Sequence, residues 1–251
     1  MLYTMEKHLI FYPESKIEMT PDQFGLSYED VYFKTSDGVN LNGWLVPAKN
    51  SIATIIYFHG NAGNISYWTP IVKLFNDRGV SVFIVDYRGY GRSSGDITEA
   101  GLYLDGEAAF DYLNGRPDID KNRIAIFGMS LGSAIGIDLA LKRPCKAIII
   151  ENGFTNTSEM AKTIFPFSLF RSFLTFKFDS LSKIKNIKNP KLFIHGMADE
   201  IVPFEMGQKL FSAATGPKEF YSIPGATHND TFLVGGDEYF EVITEFLTKY
   251  L

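Results

Sequence analysis

The sequence predicts an α/β fold: a mostly parallel sheet of eight strands with helices on both faces. Three observations carry this expectation. Short apolar runs alternate with helical patterns along the whole chain, as they do when crossover helices cover a parallel sheet. Two runs near the N-terminus, 28–35 and 41–46, flank the turn Ser36-Asp37-Gly38 and read as a hairpin. The length, 251 residues, fits one α/β domain, since such folds often reach about 200–250 residues.

The remaining strands are expected at 53–58, 80–85, 123–127, 146–150, 191–194 and 218–223. Helical patterns fall near 67–78, 100–114, 131–142, 204–213 and 237–251. No internal repeat or low-complexity segment interrupts the alternation. In open sheets of this kind, ligands bind beyond the carboxyl ends of the strands. The residues just after each strand are therefore the ones that carry chemistry.

Composition narrows the classes of function. Hydrophobic residues make up 45% and charged residues 21%, the profile of an ordinary globular protein. The formal net charge is −5, so no Lys/Arg footprint for nucleic acid is expected. The one cysteine, Cys145, can form no intramolecular disulfide, which fits the reducing cytoplasm. It offers no metal-binding pattern either. No stretch reaches the ~20 apolar residues of a membrane span. The segment 1–13 has neither the apolar core nor the cleavage site of a signal peptide.

The clearest motif follows the strand 123–127. Gly128, Ser130 and Gly132 match G-x-S-x-G, with a helical pattern beginning at Leu131. Strand before and helix after is the context of a nucleophile elbow, a tight turn whose flanking positions lack bulk. The following helix N-terminus favours negative charge developing at Ser130. On its own the motif is only moderately specific, since glycine and serine are common.

A serine nucleophile needs a base, and the chain has four histidines. His8 precedes the first strand. His59 opens the Gly/Asn-rich run HGNAGN at 59–64. His195 ends a strand and reads as packing around the turn that follows. His228, in the loop after the last strand, is the expected base. Asp199 follows the strand 191–194 and is the expected acid that orients it. Glu200 and Glu151 are rivals, and Asp86 reads as a loop brace. The order Ser130, Asp199, His228 is the chain order of α/β-hydrolases. The run after 53–58 is placed to give an oxyanion donor, so the backbone N–H groups of Asn61 and Leu131 are the candidate oxyanion hole. Ala62 is an alternative to Asn61.

These motifs also carry a family resemblance. HGNAGN at 59–64, DYRGYGRSSG at 86–95, GMSLGS at 128–133, HGMADEIVP at 195–203 and GATHND at 225–230 occur in family order. Together they resemble α/β-hydrolases of the Bem46 type, and LIFYP at 9–13 extends the likeness over nearly the whole chain. The resemblance implies hydrolysis of esters or thioesters without a cofactor. Some members remove palmitoyl groups from proteins. Carried over, Ser130, Asp199 and His228 form the triad. Many relatives have an N-terminal membrane anchor or an acylated cysteine-rich segment, and residues 1–13 read as neither, so membrane residence is not expected from them.

One segment departs from simple patterning. A Phe-rich run within about 154–178 falls where such folds carry a cap. Its apolar residues follow no single helical face, and Pro166 breaks any helix through its start. Three readings stand: a cap that lines an acyl pocket with Phe165, Phe167 and Phe170, a membrane-surface patch, or plain core packing. The expected substrate is a small or acylated molecule. A peptidase of the same fold and a non-catalytic binding protein are the alternative functions.

Overall fold

A computed structural model of the chain describes residues 2–164 and 174–251. Its centre is an eight-stranded sheet. In chain order the strands are β1 (Glu29–Lys34), β2 (Asn40–Val46), β3 (Ala53–Phe58), β4 (Val80–Asp86), β5 (Ile124–Met129), β6 (Ala147–Glu151), β7 (Lys191–Gly196) and β8 (Lys218–Ile223). Their spatial order is β8-β7-β6-β5-β3-β4-β2-β1. Only β2 runs against its neighbours, paired antiparallel to both β1 and β4. All other pairs are parallel. A two-residue parallel bridge joins Tyr12–Pro13 to Ala62–Gly63 at one side.

Among the described residues there are eight α-helices: α1 (Leu2–Ile10), α2 (Thr69–Asp77), α3 (Glu99–Gly115), α4 (Leu131–Lys142), α5 (Thr157–Ile164), α6 (Ser180–Ile184), α7 (Phe204–Ala213) and α8 (Thr231–Tyr250). Strand alternation divides the core into two. In β3, Ile56 and Phe58 pack on one side with Leu102, Phe110, Ile135 and Leu210, from α3, α4 and α7. Ile55 and Tyr57 pack on the other with Val72, Phe75, Phe240 and Ile243, from α2 and α8. Such two-sided burial explains why β3 and β4 are buried throughout and mostly apolar rather than alternating.

Several boundaries have visible causes. The turn between β1 and β2 closes through Gly38 N–H on the Thr35 carbonyl at 2.9 Å. Thr98 caps α3 by accepting Gly101 N–H at 3.0 Å. The last helix begins at Thr231, earlier than its sequence pattern suggests, and breaks at Gly236, where φ is 55°. Glycine adopts that angle without a Cβ clash, so the chain kinks and continues.

The Phe-rich run divides. Phe165, Phe167 and Phe170 lie outside the described residues. Phe176 and Phe178 are buried in the main core, with Phe176 edge-on to Phe11 at 4.9 Å. The stem around them is held by carboxylates. Glu6 accepts the N–H groups of Thr175 and Phe176 at 2.8 and 3.0 Å. Glu99 accepts Phe178 N–H at 2.9 Å. For Phe176 and Phe178, core packing is what the sequence's three readings resolve to.

Candidate active site

The turn from β5 into α4 places Ser130 with φ 52° and ψ −115°. A β-carbon in that region is strained by about 1–3 kcal/mol. The neighbours explain how the turn closes. A Cβ at Gly132 would fall inside the backbone of Phe58, and one at Gly128 inside the backbone of Gly132. Both positions therefore require glycine for space. Since neither Ala nor Gly carries the hydroxyl, Ser130→Gly is expected to be more stable than Ser130→Ala by about 1 kcal/mol or more. Paired urea titrations of the two variants measure this, and equal midpoints would argue against strain at the turn.

Ser130 N–H donates to the Glu151 carbonyl at 2.9 Å, extending the pairing of β5 with β6. Ser133 Oγ donates to the Ser130 carbonyl at 2.6 Å. The Ser130 hydroxyl faces His228, whose Nε2 lies 3.1 Å from Oγ. The other ring nitrogen, Nδ1, lies 2.7 Å from Asp199 Oδ2. All three side chains are buried.

Asp199 is held by its own turn. Its Oδ1 accepts the N–H groups of Ile201 and Val202 at 2.9 and 2.8 Å, which leaves Oδ2 for the histidine. The rivals sit elsewhere. Exposed Glu200 accepts the backbone N–H of His228 at 3.3 Å and does not reach the ring. Glu151 is fully enclosed and bonds to the hydroxyls of Thr231 and Tyr239. Burial pushes its carboxyl up to about 7, against the opposing effect of those two hydroxyls.

The other histidines are accounted for. His8 is exposed on α1. His195 donates from Nε2 to the Val202 carbonyl at 2.9 Å, and burial holds its pKa below the usual value. It packs against α7 at Gly207, where a Cβ would strike the ring. His59 is buried beneath the loop after β3.

His59 also fixes the candidate oxyanion donor. Its Nδ1–H donates to the Gly60 carbonyl at 2.7 Å. A trans peptide points its N–H opposite to its C=O, so this bond sets the direction of Asn61 N–H. The next carbonyl, that of Asn61, accepts Tyr12 N–H at 3.0 Å and Tyr90 Oη–H at 2.8 Å. A Cβ built on Gly60 would stand 3.9 Å from Ser130 Cβ, so the loop lies against the serine. Neither Asn61 N–H nor Leu131 N–H has an acceptor among the described residues. Asp86 lies behind the loop, accepting Ile65 N–H at 3.0 Å with His59 Nε2 3.5 Å away.

Sequence reasoning missed Asn152. It is fully buried with φ 45°. Its Nδ2 donates to the His228 carbonyl at 2.9 Å, and its Oδ1 accepts Gly196 N–H at 3.1 Å. Among the described residues, no group of three or more His, Cys, Asp or Glu is arranged to hold a metal ion.

Comparisons with known proteins place the chain in a family. Residues 53–176 match the family described as alpha/beta hydrolase fold. Protein bem46 of Schizosaccharomyces pombe is 39% identical over 99% of this chain and 87% of its own length. The chain belongs to the Bem46-like α/β-hydrolases. An α/β-hydrolase domain-containing protein of Arabidopsis thaliana, WAV2, is 34% identical over all of this chain and 90% of its own. Among solved structures, a Pyrococcus furiosus esterase superposes with TM-score 0.80, at 23% identity, over 95% of this chain and 99% of that one. At that identity the likeness shows the fold alone. This Bem46-like chain has no helix, among the described residues, long and apolar enough to cross a membrane.

Proposed function

We propose that the chain is a serine hydrolase that cleaves carboxylic esters or thioesters through an acyl-enzyme on Ser130. The observation that carries this reading is the single imidazole bridging Ser130 Oγ at 3.1 Å and Asp199 Oδ2 at 2.7 Å. His228 Nε2 takes the hydroxyl proton as Oγ attacks the acyl carbon. Asp199 holds Nδ1–H and stabilises the imidazolium. The N–H groups of Asn61 and Leu131 receive the oxyanion. The imidazolium then protonates the departing alcohol or thiol. Water, deprotonated by His228, attacks acyl-Ser130; the acyl–Oγ bond breaks, the imidazolium returns the proton to Ser130 Oγ, and the acid is released. The steps use side chains and backbone alone.

Exposed apolar side chains close to the triad in the chain favour an acyl substrate over a charged one. Met197 and Ile201 flank Asp199 in sequence, Leu233 and Val234 follow His228, and all four are exposed. Exposed large apolar side chains can mark contact with an apolar partner. The Phe-rich run, with Phe165, Phe167 and Phe170, belongs to the same proposal as a short cap on one hydrolase domain.

The test is direct. p-Nitrophenyl esters of graded acyl length are incubated with the protein, and a fluorophosphonate is used to label it. Turnover, with the label recovered on the peptide carrying Ser130, is the expected result. A folded protein that neither turns over nor takes the label would end the enzyme reading and favour a binding protein. Turnover of peptides but not of esters would favour the peptidase.

A further inference from the structure

Strand β6 ends in buried Glu151, and the next residue, Asn152, is buried too; between them they touch all three loops of the site. The Glu151 carbonyl accepts Ser130 N–H at 2.9 Å. The Glu151 carboxylate accepts the Thr231 hydroxyl, three residues beyond His228, and the Tyr239 hydroxyl at 3.1 Å. Asn152 holds the carbonyl of His228 itself and the N–H of Gly196, where the acid turn departs from β7. Its own N–H donates to the Ile194 carbonyl at 2.9 Å.

The other bonds of the base loop lead elsewhere. Ala198 N–H donates to the Ala226 carbonyl at 2.9 Å, and Glu200 accepts His228 N–H. Those contacts tie the base to the acid. Apart from the His228 ring itself, the hydrogen bonds among the described residues that tie the base loop and its helix to the strand beside Ser130 run through Glu151 and Asn152. Buried polar side chains are costly unless satisfied, and here every bond they make is to a part of the site or its support. An asparagine also suits the positive φ, which a β-branched core residue would not.

We propose that Glu151 and Asn152 are positioning residues that set the distance between the Ser130 hydroxyl and the His228 ring. This rests on the reading of Ser130 and His228 as nucleophile and base. A misplacement of about 1 Å can cost about 100-fold in rate. Their removal should therefore strike kcat while leaving substrate binding nearly alone.

The experiment compares Glu151→Ala, Glu151→Gln, Asn152→Ala and Thr231→Val in hydrolysis of p-nitrophenyl butyrate. Rates are referred to sites titrated by a fluorophosphonate, and each variant is melted. Glu151→Ala and Asn152→Ala are expected to lower kcat about 100-fold with KM within about threefold. Glu151→Gln keeps the shape and can bond both hydroxyls, so it should recover most of kcat. If the alanine variants do not fold, Thr231→Val carries the test, with an expected loss of about tenfold. Folded variants with kcat within about threefold of the parent would overturn the proposal. Ser130→Ala, run in the same assay, separates the two ideas. Activity persisting in Ser130→Ala would sink the mechanism. An inactive Ser130→Ala beside undiminished Glu151 and Asn152 variants would sink only the positioning role.

Discussion

Ser130→Ala is expected to lower kcat by about six orders of magnitude while the protein still folds. The substitution removes one oxygen and keeps the Cβ, so the strained turn between β5 and α4 retains its shape. What disappears is the oxygen proposed to carry the acyl group. The proposed oxyanion donors and the imidazole remain, and such remnants typically retain about 10³–10⁴-fold catalysis over water. Because the residues act as a unit, His228→Ala should cost about as much, and the double variant little more than either alone. Active-site titration beside the steady-state assay checks this, since traces of parent enzyme would show as a small titratable fraction. A Ser130→Ala protein retaining more than about 1% of kcat would remove Ser130 from the chemistry, as no remnant of a dismantled triad reaches that level.

Much of the frame was legible because it is local. Runs such as 53–58 and 80–85 announce buried strands, and β3 and β4 lie within a residue of them. Ser130 was legible for the same reason: Gly128 and Gly132 lie beside it in sequence, and their lack of a Cβ is what lets α4 approach β3. His228 could be reached by elimination among four histidines. Asp199 was harder, because Glu200 and Glu151 also follow strands. Only the geometry shows that Oδ2 of Asp199 meets the ring and that the rivals face other partners.

What stayed hidden depends on distant partners. Asn152 looks like an ordinary loop asparagine, and its bonds to His228 and Gly196 cross 76 and 44 residues of chain. Nothing within its own neighbourhood could signal them. The peptide orientation set by His59 is equally silent, because the sequence holds the histidine but not the direction of its Nδ1–H. Helix α1 was missed for a different reason. Its nine residues carry no strong cap, and isolated helices of that length are marginal without tertiary packing. That packing comes through Glu6, whose partners stand about 170 residues away. The last helical pattern falls at 237–251 in the sequence, whereas α8 starts at Thr231, kinks at Gly236 and resumes.

Asp199→Asn should cost about 10⁴-fold in kcat with little loss of stability. The amide is forced into one orientation. Its oxygen must take the place of Oδ1, because the N–H groups of Ile201 and Val202 need an acceptor there. The NH₂ group then replaces Oδ2 and donates toward His228 Nδ1. That nitrogen must become the acceptor, so the ring carries its proton on Nε2. The proton now points at Ser130 Oγ from 3.1 Å, and the imidazole cannot accept the hydroxyl proton. Geometry is nearly unchanged while the tautomer is wrong. The effect should therefore appear in kcat and in the rate of fluorophosphonate labelling alike, with KM little altered. Nitrogen NMR of the imidazole would report Nδ1 as the bare nitrogen, in contrast to the parent. Should Asp199→Asn keep kcat within about tenfold of the parent, another carboxylate must orient the ring. Glu200 and Glu151 are the rivals that the sequence offers, but neither carboxylate bonds to the ring. Either would have to abandon its present partner to do so.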